Sequence, residues 1–348
     1  WLSSQAAALW GEWLPGDAGR TFAYGGFYTR MLPRLGLRVV VLNTEAFHVA
    51  NFHAFVDHGP AMEQLAWLDL TLKRAQREKE PCLVLGHVPP GLWGGQWGLF
   101  SERFEATIAR HKGAVAGLLF GHQHSGGVRV LRDAEAQPAA MAYVTPALTT
   151  YLDQHPSFRV YELRGAPLQV SGFQQYYLNS TEPSLPGSTT LLWRLGFEPR
   201  SHLALPDLSP ASWDPFLARL KSDKELLRRL HHLEGNGKKR MGPAGAVSTY
   251  ACGVRFVRDA DLQECTGLNE EKLIRNYVDR KHTYVLTSLF PFDVVFSFFC
   301  DAVAPSAGLL PEDCPPDPAA GLGGPQRERP LASSEPLASS EPLASSEP

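Results

Sequence analysis

The stretch "GLLFGHQHSGG", residues 117–127, ends an apolar run in two histidines that stand one residue apart. The apolar run, 114–121, is short and has the composition of a buried strand. A second segment, "PCLVLGHVPPG" at 81–91, repeats the design with an apolar run, Gly86 and then His87. In α/β proteins, binding and catalytic groups concentrate in the loops after the carboxyl ends of strands. The two segments therefore predict a functional site at one edge of a sheet.

The segments around these motifs alternate between strand-like and helix-like patterns. Residues 37–43 and 82–86 are short apolar runs typical of buried strands, whereas 59–80 and 101–112 have apolar residues at helical spacing. Ser101 is the predicted N-cap of the second helix. Strand-like runs without helices between them follow at 128–133, 141–146, 158–163 and 168–178. This order predicts an α/β protein, more closely a layered α+β one, in which helices pack on a β core.

Beyond residue 200 the predicted structure becomes helical. Residues 213–233 and 268–282 have helical apolar spacing, and 234–245 is predicted to be a loop. The end of the chain, from about 303, is rich in Pro, Gly and Ala and closes with "LASSEP" three times over at 331–348. Such a composition cannot bury enough apolar surface to order itself, so we expect disorder there, with a spacer or a modified stalk as the functional alternative.

Composition and charge restrict the classes of partner. The net charge is −3, and no cluster of Lys and Arg marks a basic domain, so a nucleic-acid polymer is excluded as a partner. No apolar stretch reaches the roughly 20 residues that cross a bilayer. The best candidate, 284–299, contains Pro291 and Asp293, which favours a core or surface-docked segment. The chain starts at Trp1 without a signal-peptide pattern, and we expect either a processed start or a fragment.

The cysteines are too few for a disulfide scaffold. Cys82 lies inside an apolar run and is expected to be a buried free thiol. The other four, Cys252, Cys265, Cys300 and Cys314, lie together near the end of the chain. They could form two bridges in an oxidising compartment, and four free thiols in an intracellular protein is the alternative.

The paired histidines have the chemistry of metal ligands. Imidazole is a common ligand of zinc and iron. Side chains at positions i and i+2 of a strand share a face, but in a loop that starts at Gly121 they can diverge toward two neighbouring metals. A lone histidine is more often an ordinary residue, whereas the repeated Gly-His design favours a metal site. His48, His53 and His58 fit no such pattern and are interpreted as pocket-rim or surface residues.

The two histidine motifs, "GHVPPG" at 86–91 and "GHQH" at 121–124, resemble the last two metal motifs of calcineurin-like metallophosphoesterases. Further segments look like the acid sphingomyelinase branch of that family, including the acid sphingomyelinase-like phosphodiesterases. They are "WLPGDAGRTFAYGGFYTRMLPRLGLRVVVLNTE" (13–45), "QLAWLDLTL" (64–72), "VTPALTTYL" (144–152), "FRVYEL" (158–163) and "YYLNSTEPSLPG" (176–187). The resemblance covers roughly residues 1–235 in order.

The resemblance implies a phosphodiester hydrolase with two metal ions, usually zinc, which neutralise the phosphodiester and lower the pKa of a shared water. His87 and His122 would bind one metal and His124 the other. The implied substrate is sphingomyelin, a nucleotide or another small phosphodiester, with contact to a membrane surface. The family's earlier motifs, an Asp-x-His, a bridging Asp and an Asn-His pair with the general acid, have no counterpart at their expected places. The implied catalytic residues therefore lie outside this chain, which we expect to be inactive alone.

The resemblance also divides the chain. Residues 1–199 would form the C-terminal half of a metallophosphoesterase domain, a β-sandwich flanked by helices whose N-terminal half is missing. Residues 200–302 would form a helical C-terminal subdomain of sphingomyelinase type, and 303–348 the disordered tail.

Other residues bear on the compartment and on the pocket. Asn179 begins the N-glycosylation triplet Asn-Ser-Thr, at a place where the family carries a similar one. With the cysteine cluster it predicts a secreted or lysosomal protein. Trp93 and Trp97 follow His87 in a Gly-rich loop, where they line a substrate pocket or simply pack.

Two other classes of function remain open. A non-catalytic remnant, or a binding module on the same scaffold, would explain the missing carboxylate ligands. An intracellular protein phosphatase of the same fold is disfavoured by the glycosylation triplet and by the sphingomyelinase-like segments. Composition sets neither the metal nor the oligomeric state.

Overall fold

The computed structural model describes most of the chain up to residue 273. The described residues are 2–14, 16–51, 53, 57, 59–151, 154–182, 192–238, 244–269 and 272–273. All of them belong to the first of the chain's two units, Trp1–Pro291. Within this part of the chain, no helix combines the length and the apolar character that crossing a bilayer requires.

A mixed six-stranded sheet lies at the centre of the described residues. Its strands are β1 (Tyr28–Leu32), β2 (Leu37–Val41), β3 (Cys82–Leu85), β4 (Val115–Phe120), β5 (Gly127–Arg132) and β6 (Pro138–Val144). They lie side by side in the order β1-β2-β3-β4-β6-β5. The inner strands β2, β3, β4 and β6 run parallel, and β1 and β5 pair antiparallel at the two edges. The carboxyl ends of the inner strands therefore meet at one edge of the sheet.

A second sheet and nine helices complete the described part of the chain. The antiparallel sheet consists of β7 (Ser157–Arg164), β8 (Gln169–Leu178) and β9 (Trp193–Phe197). The helices are α1 (Leu2–Leu9), α2 (Asp17–Gly25), α3 (Gly59–Glu78), α4 (Gly98–Arg110), α5 (Pro199–Leu203), α6 (Pro210–Ala218), α7 (Lys224–Glu234), α8 (Ala244–Gly253) and α9 (Asp259–Thr266).

One face of the six-stranded sheet is covered by the long helices α3 and α4. Leu68 and Leu72 are fully buried on α3, because apolar residues at helical spacing share one side of a helix. Phe104 and Ile108 contribute the matching surface of α4. Both pairs pack with Leu118 of β4 in one apolar cluster, and burial of each such side chain stabilises the fold by roughly 1.5–3 kcal/mol.

The opposite face is covered by the second sheet and by helices of the C-terminal part. Side chains alternate along a strand, so Leu118 faces the helices α3 and α4 while its neighbour Leu119 packs against a second apolar cluster. This second cluster includes Tyr143, Phe173 and Trp213. Tyr143 of β6 lies 6.0 Å, ring to ring, from Phe173 of β8. Trp213 of α6 is fully buried in the same cluster. The predicted arrangement of helices on a layered β core is therefore confirmed.

Two predicted helices differ from the observed ones. The helix predicted at 213–233 is interrupted, and α6 and α7 replace it, because the Asp223 side chain accepts hydrogen bonds from the backbone N–H groups of Glu225 and Leu226 and so starts a new helix. Ser101, the predicted N-cap, lies inside α4, which begins at Gly98. Its buried hydroxyl instead accepts a hydrogen bond from the backbone N–H of Gly91, at 2.9 Å.

The segment after α7 differs from the prediction in one respect and agrees with it in another. Helix α8 begins inside the predicted loop 234–245. A disulfide between Cys252 and Cys265 joins α8 to α9, so two of the four clustered cysteines form a bridge, as expected. Cys300 and Cys314 lie outside the described residues, as do most of the helix predicted at 268–282 and the whole tail. The division of the chain at residues 199 and 302 stays a prediction.

Cys82 is a buried free thiol, as predicted. Its side chain is fully buried on β3, and burial raises the pKa of the thiol to about 12.

Because the thiolate is the nucleophile, we expect Cys82 in the native protein to resist iodoacetamide at pH 8 and to react once the protein is unfolded in urea. Peptide mapping by mass spectrometry measures both, and recovery of a disulfide-linked Cys252–Cys265 peptide without reductant is the internal control. Rapid native labelling of Cys82 would contradict the buried strand.

Candidate metal centre

Three polar side chains follow three neighbouring parallel strands. Glu45 comes after β2, His87 after β3 and His122 after β4. Because β2, β3 and β4 are parallel and adjacent in the sheet, their carboxyl ends place these residues at the same edge. The site is thus built by the order of the strands and not by closeness in sequence.

Hydrogen bonds that involve the backbone connect the three loops. The Thr44 hydroxyl accepts hydrogen bonds from the backbone N–H groups of His87, at 2.8 Å, and Val88, at 2.7 Å. The backbone N–H of Gly121 donates to the carbonyl of His87 at 2.9 Å. Each loop therefore fixes the backbone of the next, and His87 is held from both sides.

The side chains of these loops form a cluster of metal-ligand type. One ligand atom each from Glu45, His87 and His122 lies within 4.8 Å of the others. Glu45 Oε1 lies 3.8 Å from His87 Nε2, and the rings of His87 and His122 are 5.2 Å apart in an edge-on arrangement. The side chains of His87 and Glu45 are both 59% exposed, so the cluster opens to solvent.

His48 borders the cluster and a neighbouring cavity. Its ring lies 4.9 Å from that of His122, and its Nδ1 accepts a hydrogen bond from the backbone N–H of Ala50 at 3.1 Å. The proton of the neutral ring therefore sits on Nε2. A cavity of about 380 Å³ lies beside it, lined by Asn43, Glu45, Ala46, His48, Ala50 and Asn51. Of the three histidines interpreted as pocket-rim or surface residues, His48 lines this cavity, His53 is exposed, and His58 lies outside the described residues.

His124 shares a loop with His122 but lies outside the cluster of three. Its ring packs edge-on against Tyr151, with the centroids 5.6 Å apart, and its carbonyl accepts a hydrogen bond from the backbone N–H of Ala147. His122 and His124 both have left-handed backbones, with φ of 69° and 62°. This conformation is uncommon outside glycine, although histidine adopts it more readily than most residues, and it costs on the order of 1–3 kcal/mol per residue.

The donor set suits a divalent metal. Two imidazoles and one carboxylate match the ligands of catalytic zinc sites, which keep a further position open. The carboxylate matters for the charge balance, because imidazoles alone offer a dication no negative charge. The cluster could therefore hold a metal ion, and Glu45 is a candidate ligand that the sequence analysis did not name.

A signal for Glu45 was nevertheless present in the sequence. Asn43, Thr44 and Glu45 follow the apolar run at 37–42 in the same way that Gly86 and His87 follow the apolar run at 82–85. Applying the strand-end rule to that first run, and not to the histidine motifs alone, points to Glu45.

The other predicted site residues lie apart from the cluster. Trp93 is buried in the second apolar cluster, and Trp97 packs against the first, which agrees with the packing alternative. Asn179 follows β8 at its carboxyl end and is partly exposed. The cysteines Cys252 and Cys265 form the disulfide between α8 and α9.

Comparison with known proteins adds the following. No protein-family model matches the chain. It is 32% identical to the sphingomyelin phosphodiesterase of Bos taurus over 251 residues, which are 70% of this chain and 39% of that protein. It is 30% identical to the acid sphingomyelinase-like phosphodiesterase 3b of Mus musculus over 66% of this chain and 54% of that protein. It is 29% identical to a cyclic GMP-AMP phosphodiesterase of Homo sapiens over 59% of this chain and 48% of that protein.

The resemblance to acid sphingomyelinases and acid sphingomyelinase-like phosphodiesterases is therefore confirmed over most of the chain. The chain spans about half, or less, of the length of these relatives.

The glycine before His87 provides a test of the strand-end packing. A Cβ at Gly86 would lie 2.7 Å from both Phe120 Cε1 and Thr44 Cγ2. We expect Gly86→Ala to lower the free energy of unfolding by about 1–3 kcal/mol, since inserted atoms force neighbours apart. Gly113→Ala is the matched control, because a Cβ at Gly113 meets nothing within 4 Å. Urea unfolding of both variants gives the comparison, and equal stabilities would contradict the packing at Gly86.

Proposed function

We propose that the protein is a metal-dependent phosphodiester hydrolase of acid sphingomyelinase type, to which this chain contributes His87, His122, Glu45 and His124. The observation that carries the proposal is the cluster at the three strand ends, in a chain that resembles sphingomyelin phosphodiesterases. Since the chain spans only part of its relatives, the activity proposed is that of the whole protein.

The proposed centre holds two ions, of which zinc is the most suitable. His87 and His122, together with Glu45, would hold one ion, and His124 would contribute to the second. Bound divalent ions supply charge neutralisation for the phosphodiester and activation of the attacking water. Support for the first ion comes from the spacing of the three donors and from their match to zinc chemistry. His124 belongs to the same loop as His122 but lies outside the cluster of three, which supports its assignment to a second ion.

The chain's own residues have separable roles in this proposal. Thr44 holds the backbone of His87 in place. The Glu45 carboxylate offsets part of the charge of a dication, which a second ion nearby would repel. The cavity of about 380 Å³ beside Glu45 and His48 offers space next to the metal for part of the substrate. Charge stabilisation at the phosphodiester is the largest effect that such a site can provide.

The proposed substrate is sphingomyelin or a small phosphodiester such as a nucleotide, at a membrane surface or in solution. The names of the relatives include both kinds of substrate, a sphingomyelin phosphodiesterase and a cyclic GMP-AMP phosphodiesterase. The proposed fold is the calcineurin-like β-sandwich flanked by helices, followed by a helical subdomain from residue 200. The proposed fold is supported by the two packed sheets, by the helices on the opposite face of the six-stranded sheet, and by the C-terminal helices α5–α9.

The proposed location is the cell exterior or the lysosome. The disulfide between Cys252 and Cys265 suits an oxidising compartment. Asn179 lies in an exposed turn, and its Oδ1 accepts hydrogen bonds from the Thr181 backbone N–H at 3.1 Å and hydroxyl at 2.7 Å. Such a turn presents the asparagine and the threonine of the triplet together at the surface.

A mutation pair tests the metal centre in the full-length protein. We expect His122→Ala to reduce phosphodiester hydrolysis by more than about 100-fold, because removal of a group that merely supports a ligand already costs about 10–100-fold. Glu45→Gln keeps the shape of the side chain but removes its charge, and we expect weaker zinc binding. The control is His53→Ala, at an exposed histidine away from the cluster.

Hydrolysis of bis-nitrophenyl phosphate and metal content by mass spectrometry measure these effects. Equal, small losses in His122→Ala and His53→Ala would refute the proposed centre. A wild-type protein that binds the metal and the phosphodiester but turns over neither sphingomyelin nor nucleotides would favour the binding-module alternative.

A second prediction concerns the glycan. We expect the protein secreted from cultured cells to lose apparent mass on treatment with a peptide N-glycosidase. The part of this loss that comes from a glycan on Asn179 should be absent in Asn179→Gln and in Thr181→Ala. Thr181→Ser keeps the triplet and should keep the glycan. Peptide mass spectrometry locates the modification, and an unmodified Asn179 in secreted protein would contradict the proposal.

A further inference from the structure

A buried arginine lies directly behind the histidine loop. Arg129 on β5 is 1% exposed. Its guanidinium donates to the Oε1 of Gln123 at 3.0 Å and to the carbonyl of Val128 at 2.7 Å. Gln123 is the residue between His122 and His124, so this interaction acts on the centre of the loop.

Gln123 connects the two histidine loops. Its Nε2 donates to the carbonyl of Trp93 at 2.9 Å. Trp93 lies in the short 3₁₀ helix Leu92–Gly94, in the loop that starts at His87. One amide side chain therefore bridges the loop of His87 and the loop of His122, which carry two of the three donors of the cluster.

Arg129 fixes the orientation of that amide. A guanidinium can only donate hydrogen bonds, so Gln123 must turn its oxygen toward Arg129. The NH₂ group then faces the other way, toward the Trp93 carbonyl, which can only accept. With an apolar residue in place of Arg129, the amide could rotate, and its bond to the Trp93 carbonyl would lose its enforced orientation.

The arginine stays charged in this buried position. Burial lowers the pKa of Arg129 to about 10, and nearby Glu234 counteracts part of that effect. Arg129 is therefore protonated at neutral pH and needs hydrogen-bond acceptors where it lies. Glu234 also reaches the loop through its backbone, whose carbonyl accepts a hydrogen bond from the N–H of Gly126 at 3.0 Å.

The loop needs such support because of its backbone conformation. His122 and His124 both have left-handed φ angles, which persist only where the surroundings impose them. The hydrogen bonds of Gln123, Gly126 and Arg129 form the surroundings of this loop on its buried side.

We propose that Arg129 and Gln123 are positioning residues that set the spacing of His87 and His122 for a divalent metal. The inference rests on the proposed function, since it assumes a metal at this cluster. It goes beyond that function by placing part of the metal affinity in a hydrogen-bonded pair that touches neither metal nor substrate.

A double-mutant cycle tests the pair. Gln123→Met and Arg129→Met remove the hydrogen bonds while keeping comparable side-chain length. We expect each to weaken zinc binding by about 10–100-fold, the effect of losing groups that orient ligands. Because Arg129 acts through Gln123, the double variant should bind zinc as weakly as either single variant. Competition with a chromophoric zinc chelator measures the affinity without any enzymatic assay.

Arg132→Met is the matched control. Arg132 lies on the same strand, is 5% exposed, and donates to the Ala136 carbonyl at 3.0 Å and to the carboxylate of Asp214. Its loss should lower the melting temperature in the way that losing Arg129 does, but it should leave the zinc affinity unchanged. If Arg129→Met fails to fold, Gln123→Met at its partly exposed position carries the test alone.

The outcomes separate this proposal from the proposed function. If wild type and His122→Ala bind zinc equally, the metal centre itself is wrong. If His122→Ala loses zinc but Gln123→Met binds as tightly as wild type, only the positioning role is refuted. Additive losses in the double variant would also refute it, because they would show that the two residues act independently. An equal loss in Arg132→Met would refute it as well, because it would show general destabilisation.

Discussion

The parallel pairing of β2, β3 and β4 is the constraint on which the rest of the site depends. Parallel neighbours bring their carboxyl ends to one edge, so residues about 40 positions apart in sequence meet without any local motif. Thr44 fixes the relative position of two of these strand ends, because its hydroxyl accepts hydrogen bonds from two backbone N–H groups at the start of the next loop. The spacing of Glu45, His87 and His122 follows from that register.

Charge is distributed around this edge in two layers. At the surface, the exposed Glu45 carboxylate lies beside two imidazoles. Direct attraction between such exposed groups is weak in water, and the arrangement suits a bound cation. Behind the loop, a buried guanidinium is held by Gln123 and by the Val128 carbonyl. The C-terminal helices take part as well, since the carbonyl of Glu234 at the end of α7 bonds the same loop. The helical C-terminal part of the chain therefore contributes a contact that supports the histidine loop.

Local patterns predicted the elements that depend on local chemistry. The strands at 37–43, 82–86 and 114–121 and the helix at 59–80 were predicted from short apolar runs and helical spacing, and His87 and His122 were placed together by the strand-end rule. The predictions that failed concern side chains with competing hydrogen-bond partners or with partners distant in sequence. Helix α6 ends at Ala218, and the Asp223 side chain caps the start of α7. The Ser101 hydroxyl bonds the backbone of Gly91, ten residues away, and does not cap its own helix. Glu45 was missed because the strand-end rule was applied to the two histidine motifs and not to the first apolar run.

Crystallography at the zinc absorption edge tests whether the three strand ends assemble one metal centre. Crystals of the full-length protein grown with zinc would give an anomalous difference map that locates the ion independently of any activity. We expect a strong peak between the side chains of Glu45, His87 and His122. Ordered zinc found only elsewhere, or a zinc-saturated crystal without a peak at this edge of the sheet, would contradict it.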